Sequence, residues 1–116
     1  MQPEQQPTSK PRFLSKSAID QCMTFRDAVR LAYQNRVRQH MTQATFAEEI
    51  GAYAPHVSQW LHSEPIDKHG NKRADLPAAL IPAVEKALGN HAISQFLTRQ
   101  GLLHLMEEMA WAMSNT

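Results

Sequence analysis

The chain has a single cysteine, Cys22, among 116 residues. No internal disulfide can form and there is no CxxC, so a disulfide scaffold is excluded and a reducing cytoplasm is expected. No apolar run approaches the ~18 residues of a membrane-spanning helix. The opening MQPEQQPTSKPRF lacks the apolar centre of an export signal, so no export is expected. Glycine is scarce, and neither a glycine-rich phosphate loop nor a nucleophile elbow appears. The six histidines (His40, His56, His62, His69, His91 and His104) form no HExxH, and no second cysteine completes a zinc set. Enzyme activity, a metal and a cofactor are therefore not expected.

A strong charge of one sign is also missing. The net charge is only +1, which argues mildly against a nucleic-acid partner. Its distribution says more. Residues 1–40 hold seven basic and three acidic side chains, whereas residues 75–116 hold two basic and four acidic. That asymmetry fits a DNA face at one end and a protein-facing surface at the other. The length fits one domain with one modest core and little room for a large cleft.

What is present centres on Gln43 to His62, QATFAEEIGAYAPHVSQWLH. Phe46, Ala47 and Ile50 recur at helical spacing, as do Val57, Trp60 and Leu61. Gly51 between them suits the left-handed conformation that ends a helix. Pro55 suits a first turn, where its missing N–H costs nothing. The small Ala47 lets the second helix cross closely over the first. The pattern predicts a helix-turn-helix.

Counted as a twenty-residue unit from Gln43, the stretch places Ala47 fifth, Gly51 ninth, Val57 fifteenth and Trp60 eighteenth, with the run VSQWL around them. It resembles the helix-turn-helix of phage Cro and repressor proteins. The later runs ADLPAALIPAVEKALGN and AISQFLTRQGL look like small phage and prophage regulators of the CII-like kind. The resemblance implies a lambda-repressor-like, all-α fold of five or six short helices, and transcriptional control through a double-stranded DNA operator. It implies that Gln43 bonds a phosphate and that Tyr53, Ala54, Pro55, Ser58, Gln59 and His62 face DNA. Ala54 departs from relatives that place a polar base reader there. Readout then leans on Gln59, Ser58, His56 and His62, with Gln59 suited to the paired amide contact with adenine. Glu48 and Glu49 serve solubility.

The remaining chain fits around that unit. Residues 1–16 read as a flexible basic arm, either lying along phosphates or simply solvated. Ser17 and Asp20 are expected to cap a short turn. Thr24 and Asp27 cap an amphipathic helix running to Gln39, with Val37 on its apolar stripe and Arg26, Arg30, Arg36 and Arg38 largely off it. Arg36 and Arg38 either reach phosphates or form a solvated helix end. Lys68, Lys72 and Arg73 make the KHGN loop locally basic, as a phosphate grip or a solvated loop. Asp75 is expected to cap a helix to Leu88, with a break at Pro82. Gly89 ends it, Asn90 caps the next, and Gly101 marks another break.

Residues 17–89 thus read as the DNA-binding domain and 90–116 as a C-terminal helical segment. Leu102, Leu105, Met106, Met109 and Met113 form a stripe there, widened by Leu103, Ala110 and Trp111. The stripe either joins copies into a homo-oligomer or folds back over the first long helix. Two functions of different class follow: a sequence-specific transcription regulator, or a protein-interaction module or antitoxin-like partner with a repurposed helix-turn-helix.

Overall fold

The computed structural model describes residues 10–115. Among them the chain forms helices α1 (Lys16–Asp20), α2 (Phe25–Gln34), α3 (Gln43–Ile50), α4 (Ala54–Leu61), α5 (Ile81–Leu88) and α6 (Ala92–Ser114). A 3-10 turn, Ala78–Leu80, precedes α5, and the described residues contain no β-strand. The fold class is all-α.

Local chemistry sets the boundaries. Ser15, not Ser17, caps α1, its Oγ accepting from the Ala18 N–H at 3.2 Å. Asp20 instead pairs with Lys16 and Arg99. Thr24 and Asp27 form the reciprocal capping box of α2, as the sequence predicts. That helix stops at Gln34, five residues short of the predicted Gln39. Asn35 turns its Nδ2 back onto the Leu31 carbonyl. Arg36 lies 4.2 Å over the Tyr33 ring and donates to the carbonyls of Tyr33, Gln39 and Met41, which pulls the chain off the helix axis. Val37 is consequently 54% exposed rather than on the apolar stripe.

Two breakers act differently from expectation. Pro82 does not interrupt a helix begun at Asp75; it sits in the first turn of one begun at Ile81. There its lost N–H is an orphan of the first turn anyway. Gly101 breaks nothing, since α6 runs through it for 23 residues. Gly101 is not among the positive-φ glycines. The good helix formers after it outweigh its propensity cost of about 1 kcal/mol.

Helix α2 lies at the centre, packed against α4, α5 and α6, while α3 packs on α4 and α5. The core gathers Ala28, Val29 and Ala32 of α2 with Phe46, Val57, Trp60, Val84, Leu88, Ile93 and Phe96. Asn90 is fully buried within it. Its Nδ2 donates to the Ala32 carbonyl at 3.0 Å, and its Oδ1 accepts from the Ala92 N–H. One side chain thus closes the end of α2 and opens α6. Gly89 adopts φ 81, and an added Cβ would collide with the Val37 side chain.

Two predicted boundaries move. Of the arm assigned to residues 1–16, residues 1–9 lie outside the described part. From Arg12 onward the chain is tied down: Arg12 exchanges backbone bonds with Gly89 and His91, and buried Leu14 is held on both sides by the Gln95 amide. The 89/90 boundary does not separate two parts either. Ala92, Ile93 and Phe96 are core, and only beyond Arg99 is every described residue exposed.

Candidate nucleic-acid interface

Helices α3 and α4 are joined by three residues. Thr42 caps α3 through the Thr45 N–H, and Gly51 closes it with φ 71. Tyr53 occupies the N-cap of α4, with Pro55 in the first turn. Ala47 is 2% exposed at the contact. Val57 and Trp60 are buried, so the opposite side of α4 is outward. Of the predicted site residues, Gln43, Tyr53, Ala54, Pro55, His56, Ser58 and His62 are all exposed. Tyr53 and His56 meet edge to face at 5.2 Å between ring centroids. The His62 Nδ1 accepts from the Glu64 N–H at 3.0 Å, which leaves Nε2–H as the donor of the neutral ring.

Gln59 is different. It is half-buried, and its Oε1 accepts from the Ala74 N–H at 2.9 Å. The predicted paired contact with adenine needs that oxygen, so the side chain already holds a partner that the sequence did not reveal.

The C-terminal end of α4 has no glycine cap, because His62 leaves it in extended conformation. Arginines from α2 take the orphan carbonyls instead. Arg26 is 7% exposed. Its Nη1 donates to the carbonyls of Gln59, Trp60 and His62, at 2.5, 3.2 and 3.1 Å. Its Nη2 reaches the carbonyls of Arg73 and Ala74 and pairs with Asp75 at 3.1 Å. Arg30 donates to the Leu61 carbonyl. Two cations at a helix C-terminus also complement its dipole. Sequence reasoning placed both off the apolar stripe and missed this role. Arg26 follows Tyr33 around the helical wheel by only about 20°, and that edge position was the one available signal.

The 65–73 segment is a small hairpin. Ile66 and Lys72 form an antiparallel bridge, and the Arg73 N–H donates to the Pro65 carbonyl at 2.8 Å. Asp67 Oδ1 takes the N–H groups of His69 and Asn71, and Gly70 turns the tip with φ 82. Lys68 and Lys72 are exposed there. Arg73 is half-buried, with its Nε shielded from solvent and unpaired within the described residues.

Several other basic residues, expected either to reach phosphates or to be solvated, turn to internal partners. Arg12 donates to the Asn35 carbonyl, Arg36 closes α2, and Arg38 pairs with Glu49 at 2.5 Å. That pairing holds the Glu49 carboxyl below its ordinary range through the hydrogen bond to Arg38, and Arg38 rises in turn. Glu49 is therefore a tether between the post-α2 segment and α3 rather than a merely solubilising charge. Burial, with the Asp27 charge, pushes the Cys22 thiol up, so it stays protonated at neutral pH.

Leu102, Leu105, Met106, Met109 and Met113, the residues expected to join copies or fold back over the first long helix, lie on the distal half of α6 and are 55–75% exposed. They do not fold back over α2. At 100° per residue they centre roughly 130° around the axis from the core residues Ala92, Ile93 and Phe96. The distal face is thus separate from the face that completes the core. At its base, Leu102 and Leu103 border an open groove of about 960 Å³ shared with Phe13, Leu14 and Ile19. Among the described residues no three His, Cys, Asp or Glu side chains gather as a metal site, and no helix is long and apolar enough to cross a membrane. No protein-family model, curated protein or solved structure matches the chain.

Proposed function

We propose that the chain is a sequence-specific DNA-binding transcription regulator of the phage and prophage Cro, repressor and CII-like kind, acting in a bacterial cytoplasm as a homo-oligomer. On this reading α3 and α4 are a helix-turn-helix and α4 enters the major groove. The observation that carries it is the division of α4: Val57 and Trp60 inward, with Tyr53, Ala54, Pro55, His56, Ser58 and His62 outward beside a hairpin bearing Lys68 and Lys72. Gln43, in the first turn of α3, bonds a phosphate and sets the register. The groove supplies base edges to the outward side chains, and the lysines neutralise backbone charge. A regulator of this kind uses neither a metal nor a cofactor, and it catalyses nothing.

A gel-shift titration against the DNA upstream of the chain's own gene tests the reading. Binding should discriminate that duplex from a scrambled one and weaken steeply with salt. Equal binding to both, or affinity flat between low and moderate salt, would sink it. The exposed apolar distal half of α6 favours a second reading as a protein-interaction module or antitoxin-like partner. No DNA binding at low salt, together with a stable complex with a different protein, would select that one.

A further inference from the structure

We infer that Gln59 is a positioning residue rather than a base reader. With Arg26 it fixes the hairpin to α4, so that Lys68, Lys72 and the outward side of α4 grip one duplex as a rigid two-pronged unit. The inference rests on the proposed DNA-binding reading and assigns roles within it.

The connection is double. The Gln59 side chain accepts from the Ala74 N–H, and the Arg26 guanidinium donates to the main-chain carbonyls of both Gln59 and Ala74. Paired recognition of adenine requires the amide oxygen to accept from N6 while the amide nitrogen donates to N7. Turning Gln59 to a base would therefore strip the Ala74 N–H of its acceptor. The hairpin is closed at its own base by the Arg73–Pro65 backbone bond and at its tip by Asp67. It is thus braced at both ends, and a restraint at Ala74 places the prong against α4.

Base reading then falls to the first half of α4. The Tyr53 ring, 67% exposed, packs edge to face on His56, and each limits the rotamers of the other. An imidazole N–H so held suits the N7 and O6 acceptors of a guanine edge in the major groove. On this assignment His56, rather than Gln59, takes a base-reading role.

Amide hydrogen exchange at Ala74 and duplex binding across a salt series, for wild type, Gln59→Leu, Gln59→Glu and His56→Ala, test this. Glutamate keeps an acceptor for the Ala74 N–H and loses the amide donor. Gln59→Leu should speed Ala74 exchange at least tenfold and weaken the preferred and scrambled duplexes alike. It should lower the log–log salt slope, by at most about 1.8, because two lysine contacts at about 0.9 each lose register while the Arg26 bonds remain. Adding Lys68→Ala and Lys72→Ala to Gln59→Leu should then cost less than the same pair of substitutions costs in wild type. Gln59→Glu should restore both the protection and the slope. His56→Ala should reduce sequence preference at least tenfold and leave Ala74 exchange unchanged. A Gln59→Leu protein that loses sequence preference with Ala74 still protected would overturn the inference, as would lysine losses that stay fully additive. If wild type prefers no duplex, the DNA-binding reading and the grip fall together, whereas Ala74 exchange in the leucine and glutamate variants still decides whether Gln59 holds the hairpin.

Discussion

Arg26→Met removes the one guanidinium that holds the end of α4 and the base of the hairpin together, while keeping most of the side-chain volume. Arg26 offers Nη1 and Nη2 to six acceptors at 2.5–3.4 Å. The Trp60 carbonyl is the acceptor met in a buried setting, the others being part-buried. An orphaned buried acceptor costs about 1–3 kcal/mol, and a hydrogen bond to a charged group contributes about 1.5–3. Water can reach the part-buried carbonyls, so their losses do not add in full. Asp75 is 46% exposed, and its ion pair contributes under about 1 kcal/mol. Together these give about 3–5 kcal/mol, which matches the cost of breaking a buried charge network.

A domain of this size is stable by about 5–15 kcal/mol, so the variant should remain folded with a much reduced margin. With a urea slope near 1.5 kcal/mol/M, the unfolding midpoint should fall by about 2–3 M. Arg26→Lys should recover only part of this, since one ammonium cannot span both sets of carbonyls. Arg30→Met, which loses the single bond to Leu61, should cost about 1 kcal/mol. A midpoint for Arg26→Met within about 0.5 M of wild type would refute the reasoning, because it would mean solvent replaces the guanidinium without loss.

Trp60→Ala should destabilise by about 3–5 kcal/mol, since the side chain is buried between α4 and the core; wild-type melting would place Trp60 outside the core. The Glu49 carboxyl is held below its ordinary value of 4.5 by Arg38, so its contribution is present above that pH and is lost as pH falls through the folded-state value. Both partners are at least a third exposed, so Glu49→Gln should cost under about 1 kcal/mol at pH 7. That difference should vanish by acid titration, and one that persists at low pH contradicts the pairing. Among the described residues, truncation after Gly101 removes only exposed ones, and it should leave urea unfolding cooperative and within about 0.5 kcal/mol. The truncated chain should sediment as a monomer and the full chain as an oligomer; a monomeric full chain, with or without DNA, rejects the distal face as an interface.

The elements most legible in the sequence were those whose cause is local. Thr24 with Asp27, Gly51, Pro55 and Gly89 each act within a turn or two of themselves, and each sits where its chemistry predicts. The KHGN hairpin belongs with them, because Asp67 bonds within its own turn. What the sequence hid depends on distant partners. Pro82 and Gly101 are breakers only in some contexts, and a helix that starts at one or has strong formers after the other is unaffected. The end of α2 depends on where the Arg36 guanidinium finds carbonyls. Most of all, helical periodicity cannot distinguish an arginine facing solvent from one facing another helix's carbonyls, because both lie beside the apolar stripe.

That distinction changes how the charge should be read. Arg12, Arg26, Arg30, Arg36, Arg38 and Arg99 each donate to a carbonyl or carboxylate of the chain, whereas every described lysine is exposed. The division follows from the side chains: a planar fork suits several fixed acceptors, and a hydrated ammonium suits water or a phosphate. The basic excess of the first half is therefore mostly framework, and the cations left beside α4 are Lys68, Lys72 and the half-buried Arg73. Two or three phosphates neutralised give a salt slope of only about 1.8–2.7 per copy, whereas regulators that hold an operator make several such contacts. One recognition helix also reads only a few base pairs. On the proposed reading, a single copy is thus short of both affinity and specificity. On that same reading, the exposed distal face of α6, turned away from the core, is the candidate seat for a second copy that would make good both deficits.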